Sequence, residues 1–121
     1  PMCWVTGTND FAYPLDSLQK SYLLPSGSRT LCIRHEMPHG HGGAGENPSE
    51  LRVFADAILK GEQPLPRMIE SGSSNGKIWA AYDSARPIMR AELLYTRASG
   101  QWQDRKFNIC QYNSRISQYL R

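Results

Sequence analysis

The sequence predicts an α/β chain: a strand–helix–strand–helix unit with two parallel strands, followed by a small antiparallel β module. Three observations predict it. Two short apolar runs, Met2-Cys-Trp-Val-Thr and Thr30-Leu-Cys-Ile-Arg, flank a helical segment long enough for a parallel crossover. A strongly amphipathic helix follows the second run. Beyond Glu62-Gln-Pro-Leu-Pro-Arg the pattern changes to short β-rich stretches.

Residues 1–6 read as a buried strand, apolar and without polar alternation. The Gly7–Pro14 turn leads into a helix on which Leu15, Leu18, Tyr22 and Leu23 recur at helical spacing, stopped by Pro25-Ser-Gly-Ser. Arg29 to Met37 forms the second strand. In the next helix Asn47 is the expected N-cap, Pro48 suits the first helical position and Glu50 completes the capping pattern. Leu51, Phe54, Ala55, Ile58 and Leu59 make its apolar stripe, which should lie against the sheet, and Gly61 stands where a left-handed C-cap belongs. The prolines of 62–67 then deny the chain regular hydrogen bonding. Three β-rich runs follow, Lys77–Asp83, Ile88–Thr96 and Lys106–Tyr112, at a spacing that fits antiparallel hairpins. The chain thus divides into 1–61, a linker at 62–76, and a β module at 77–121.

Composition narrows the function. The 121 residues suffice for one ordinary domain or pieces of two small ones; 40% are hydrophobic, 21% are charged, and the formal charge is +3. Mean hydropathy is −0.54. The basic residues are scattered without a run, so no nucleic-acid partner is expected, and no apolar stretch reaches membrane-spanning length. The chain enters a strand almost at once and ends without a cap or polar tail, so it reads as cut from a larger protein at both ends. Three cysteines, Cys3, Cys32 and Cys110, lack CxxC spacing; Cys3 and Cys32 sit in apolar runs, where a thiol is a small buried hydrophobe. No thiolate metal site or disulfide is expected.

The richest stretch is Met37-Pro-His-Gly-His-Gly-Gly-Ala-Gly, a glycine-rich strand-to-helix loop carrying His39 and His41. Histidine is the side chain whose proton moves near neutral pH. Gly7-Thr-Asn-Asp10 places a carboxylate at the end of the preceding strand, and adjacent strands lie about 4.8 Å apart. Asp10 and one imidazole therefore suit an orienter-and-base pair. A bare Asp in a turn is otherwise an Asx turn or a cap. Asn9 and Asp16 compete for the role, and Asp16 belongs in the first helical turn. The loop position leans to His41 over His39, since His41 lies further past the strand end. With His35 the two spell His-x-x-x-His-x-His, a conceivable metal set, but His35 lies inside the strand and can face away. Neither a metal nor a cofactor is called for.

Two further patterns are weighed. Gly72-Ser-Ser-Asn-Gly76 matches G-x-S-x-G, the nucleophile elbow, which requires a strand before it and a helix after it. A β run follows instead, so Ser73 and Ser74 belong to a turn. Trp79, Tyr82, Tyr95 and Trp102 could stack on carbohydrate, but aromatics in short strands more commonly form a core.

Strand–Gly-Thr-Asn-Asp-Phe-x-x-Pro, then strand–Met-Pro-His-Gly-His-Gly-Gly and Asn-Pro-Ser-Glu-Leu-Arg-Val-Phe-Ala-Asp, resemble the C-terminal part of α/β-hydrolase-fold serine hydrolases. The similarity is to bacterial acetyl xylan esterase-like, acylaminoacyl-peptidase-like and PhoPQ-activated-type proteins. Glu92-Leu-Leu-Tyr-Thr-Arg-x-x-Gly-x-Trp-Gln-Asp-Arg-Lys-Phe resembles the strand pair of the β module that follows their core. The resemblance implies that residues 1–61 are the end of an α/β-hydrolase sheet and 77–121 part of a β-sandwich-like module. It implies Asp10 as triad acid and His39 or His41 as triad base. The serine elbow and oxyanion loop would lie upstream, in the N-terminal part of the same protein, so the chain alone should be inactive. The implied substrate is a small-molecule ester, a carbohydrate ester or a peptide, cleaved through an acyl-serine. A bacterial periplasmic or secreted setting is implied, although the residues themselves assign no compartment. The alternative is a non-catalytic carbohydrate- or metal-binding module.

Overall fold

The computed structural model describes residues 1–40, 43 and 45–112. The chain runs β1 (Met2–Asn9), α1 (Leu15–Tyr22), β2 (Arg29–Pro38), α2 (Ser49–Leu59), β3 (Arg67–Ser74), β4 (Lys77–Asp83), β5 (Ala91–Tyr95), a short 3-10 helix (Trp102–Asp104) and β6 (Asn108–Tyr112). The strands form three separate two-stranded sheets, β1–β2, β3–β4 and β5–β6.

Only β1 and β2 pair in parallel, from Met2 opposite Arg29 to Gly7 opposite Arg34. Among the described residues no third strand joins them. The expected α/β-hydrolase sheet is therefore overturned: a doubly wound sheet carries many parallel strands with both faces covered, and this pair stands alone. Of the three β-rich runs, the second and third pair with each other antiparallel as β5 and β6, while the first, β4, pairs antiparallel with β3.

β3 occupies 67–74, within the stretch whose prolines and serines read as linker. The hairpin forms because Asn75 and Gly76 adopt left-handed φ angles of 51° and 73°. Asn-Gly with both residues left-handed is the turn that matches strand twist. Gly72 lies under the Trp79 indole, where a Cβ would come within 2.7 Å of the ring.

α2 begins at Ser49 with Pro48 as its N-cap residue and no side-chain cap. The cap expected at Asn47 is displaced by one residue. Glu50 turns instead to β2, where Arg34 pairs with its carboxylate, with Nε at 3.2 Å from Oε1. The C-terminal expectation fits, with Gly61 at φ +70°. α2 contacts β1, yet Leu51, Ile58 and Leu59 of its stripe remain exposed.

Burial is sparse throughout. Met37 is the one buried hydrophobic side chain among the described residues; beside it Thr6, Thr8 and Asp10 are the buried polar ones. The expected aromatic core is corrected in the same way, since Trp79, Tyr82 and Tyr95 are each exposed by 42% or more. Arg105 covers the Trp102 ring at 3.7 Å. Cys3 and Cys32 are half-buried and not fully enclosed. No helix among the described residues is long and apolar enough to cross a membrane.

Candidate functional site

The buried residues gather where β1 and β2 end, and an irregular register brings them there. Gly7 faces Arg34 and Asn9 faces Pro38, so Thr8 stands opposite His35, Glu36 and Met37. Such a bulge re-aims the strand that carries it. Glu36 turns through a left-handed φ of 52°, a conformation costing about 1 kcal/mol or more for a non-glycine residue. The bulge removes a ladder partner from the Glu36 amide, and Thr8 replaces it: the Glu36 N–H donates to Thr8 Oγ1 at 2.9 Å. That hydroxyl in turn donates to Asn9 Oδ1 at 2.8 Å. Gly7 makes the close approach possible, because a Cβ there would lie 1.7 Å from the Met37 carbonyl oxygen.

The redirected β2 delivers His39 to Asp10. Nδ1 of His39 lies 3.2 Å from Asp10 Oδ1 and 3.3 Å from Oδ2, almost midway between the two carboxylate oxygens. The carboxylate is itself fixed: Oδ1 accepts hydrogen bonds from the backbone N–H groups of Ala12 and Tyr13, both at 2.8 Å. Asp10 is 7% exposed. The same residue thus makes the Asx turn that sequence offers as the ordinary reading and holds the imidazole with its second oxygen. Phe11 meets the His39 ring edge-on at 5.2 Å and Tyr13 tilts against it at 5.6 Å. These two aromatics were not among the residues singled out from sequence; their position one and three places after Asp10 is the signal that could have found them.

Of the two candidate bases, His39 is the one beside Asp10, while His41 lies outside the described residues. His35 is engaged elsewhere, its Nε2–H donating to the Phe107 carbonyl at 3.1 Å. Among the described residues no three His, Cys, Asp or Glu side chains converge as a metal set would require. Asn9, a competitor of Asp10 in the sequence, has a separate use. Its side-chain amide donates to the carbonyls of Gln103 and Arg105 at 3.1 and 2.7 Å, tying the 3-10 segment beside the site. Asp16 sits in the first turn of α1. Ser73 and Ser74 end β3 and lead into a hairpin, so no helix follows the G-x-S-x-G match.

A cavity of about 270 Å³ opens beside the pair, bounded by Val5, Thr6, Met37 and Glu46 as well as Asp10 and His39. Among the described residues lining it there is no serine or cysteine.

Beneath this site Arg34, Glu50 and Cys32 join β2 to α2. The Arg34 guanidinium holds the Glu50 carboxyl below its ordinary value of 4.5. Burial, then the Glu50 charge, pushes the Cys32 thiol up to about 11, so at neutral pH it is a protonated donor to Glu50 and not a reactive thiolate. A depressed carboxylate stabilises the folded chain above its ordinary value, and that contribution is lost as pH falls through the lower folded value. Urea midpoints at pH 7 and pH 3 should therefore differ more for the native chain than for Glu50→Gln. The pair is expected to contribute about 1 kcal/mol. Equal acid limbs in both proteins would remove the ion pair from the account.

No protein-family model, curated protein or solved structure matches the chain.

Proposed function

We propose that Asp10 and His39 are the acid and base of a serine-hydrolase-type centre that cleaves an ester or amide bond through an acyl-serine. One observation carries the reading: an imidazole Nδ1 within hydrogen-bond reach of a buried carboxylate that two backbone N–H groups already hold in place. Nδ1–H donation to Asp10 puts the lone pair on Nε2 and fixes the ring. His39 Nε2 then takes the proton of the attacking hydroxyl and returns it to the leaving group, while Asp10 stabilises the imidazolium between the two steps. The serine is proposed to come from a preceding segment of the same protein, in keeping with a cavity whose described lining residues include none.

Two measurements test this. Long-range ¹H–¹⁵N NMR on the chain should find His39 as the Nδ1–H tautomer, and Asp10→Asn should abolish that preference; an Nε2–H tautomer in the native chain would sink the assignment. With the serine-bearing segment in place, Asp10→Asn should lower kcat for a p-nitrophenyl ester by about 10⁴-fold with KM little changed, and His39→Ala by at least as much. A loss under tenfold for either rejects the pair as catalytic. The 121-residue chain alone should match free imidazole with p-nitrophenyl acetate, and a fluorophosphonate should leave Ser73 and Ser74 unlabelled.

A further inference from the structure

β4 is the outer strand of its hairpin. β3 is the strand that contacts β2, and among the described residues no strand pairs with the far edge of β4. Six of its seven residues are exposed, and the seventh, Ala81, is half-buried. Yet Ile78-Trp-Ala-Ala-Tyr82 carries apolar side chains on both faces, a composition that ordinarily belongs inside a sheet. Edge strands are usually blunted by an inward charge, a proline or a bulge. β4 has none of these: the bulge of the hairpin lies in β3, between Met68 and Glu70, and the charges of β4 stand only at its two ends. The hairpin also fixes which backbone groups are left over. Ser74 and Lys77 close the two-residue turn as a hydrogen-bonded pair, and such pairs alternate along an antiparallel ladder. Lys77, Trp79 and Ala81 therefore bond to β3, while the N–H and C=O groups of Ile78, Ala80 and Tyr82 point to the open edge.

We propose that this edge is the interface of a two-fold dimer, in which β4 pairs antiparallel with β4 of a second copy of this chain about an axis at Ala80. In that register the strand is complementary to itself. Lys77 faces the partner's Asp83, Ile78 the partner's Tyr82, Trp79 the partner's Ala81, and Ala80 the partner's Ala80. The outward-pointing residues 78, 80 and 82 thus meet one another and exchange hydrogen bonds across the axis. The Lys–Asp and Trp–Ala pairs fall at the closer, non-hydrogen-bonded positions. Opposite charges and aromatic–β-branched pairs placed directly across two strands are stabilising. The Trp79 indole, seated on Gly72, has a small alanine opposite it. Arg67 binds Oδ2 of Asp83 at 2.9 Å, which leaves Oδ1 for the partner's Lys77. Parallel stacking would instead set Lys77 against Lys77 and Asp83 against Asp83, so the charges select a closed pair over an open-ended stack. The product is a continuous four-stranded sheet, whereas a lone hairpin is marginal. The inference stands apart from the reading of Asp10 and His39.

The test uses the full 121-residue chain. Sedimentation velocity should show a monomer–dimer equilibrium, and amide exchange should slow at Ile78, Ala80 and Tyr82 as the concentration is raised. Lys77, Trp79 and Ala81, bonded to β3, should be protected at every concentration. Lys77→Glu sets like charges together twice in a two-fold dimer and should weaken dimerisation at least tenfold. Its Tm at low concentration should stay level, because Lys77 is exposed and faces only Ser74 within the hairpin. Cross-linking reads the register. In a Cys110→Ser background treated with oxidised glutathione, Ala80→Cys should form an interchain disulfide, since a hydrogen-bonded pair places its Cα atoms about 5.5 Å apart. Ile78→Cys should not, because its counterpart lies four residues further along the partner strand. The proposal falls if the chain stays monomeric, if Lys77→Glu associates with native affinity, or if Ile78→Cys cross-links as readily as Ala80→Cys. Full protection of Ile78, Ala80 and Tyr82 at low concentration would also overturn it, by showing that another segment of the same chain covers the edge.

Discussion

Gly7→Ala is expected to disrupt the site more than any other single-methyl change in the chain. The added Cβ would lie 1.7 Å from the Met37 carbonyl oxygen and 2.6 Å from its carbonyl carbon. Both are backbone atoms, so no side-chain rotation relieves the clash, and β1 and β2 must separate where they now close on each other. Overpacking of this kind costs about 3 kcal/mol where the surroundings cannot yield. The functional effect should be larger than the thermodynamic one. Met37 stands within the bulge, and the segment leaving it carries His39, so moving Met37 away from Gly7 moves the imidazole from Asp10. In Gly7→Ala, the urea midpoint should fall, and the Glu36 amide should lose the exchange protection that its bond to Thr8 provides. His39 should lose its tautomer preference. Gly27→Ala is the control, since a Cβ there meets its nearest atom at 3.9 Å. A Gly7→Ala chain with native stability and an intact His39 signal would show that the bulge is not what positions the pair.

The same residues explain what the sequence could and could not reveal. The two apolar runs were legible as strands because each is a short, uninterrupted hydrophobic stretch, and the meeting of Asp10 with a loop histidine followed from carboxylate and imidazole lying just past neighbouring strand ends. The bulge was not legible. Glu36 carries no signal for a left-handed φ, so the sequence does not show how β2 is re-aimed to bring His39 beside Asp10. The cap at Asn47 was misplaced because Glu50, expected to fold back on the helix start, finds a stronger partner in Arg34 across the gap to β2. β3 was hidden by its own composition: Glu70, Ser71, Gly72, Ser73 and Ser74 lack the apolar alternation of a half-buried strand, and they form one because Asn75-Gly76 closes the hairpin. The sequence marks this stretch as a turn, but nothing in it announces the strand that the turn closes. The α/β-hydrolase sheet failed for a different reason. Local signals for a strand–helix–strand unit say nothing about whether a third parallel strand adjoins it.

Marginal, concentration-dependent stability is the second large effect expected of this chain. Its accessible surface is 9289 Å², against about 6,600 Å² for a compact monomer of its 13.7 kDa mass. Met37 is the single buried hydrophobic residue described, while Phe11, Leu24, Leu59, Ile69 and Met89 are each at least 61% exposed. Folding stability is the small remainder of large opposing terms. A chain that withdraws so little apolar surface has little to set against about 1–2 kcal/mol of backbone entropy per ordered residue. The open edges of β1–β2 add a second tendency, since unpaired strand edges beside apolar side chains promote association. Thermal unfolding at low protein concentration should therefore be broad and centred below about 45 °C, the lower end for ordinary domains. Raising the concentration should shift the transition upward, and sedimentation velocity should show species larger than the monomer. The urea dependence should also be shallow for 121 residues, because its slope scales with the surface that unfolding exposes. A monomer that melts sharply, at a midpoint independent of concentration and with a steep urea slope, would mean that Leu24, Leu59, Ile69 and their neighbours are covered in solution by this chain itself.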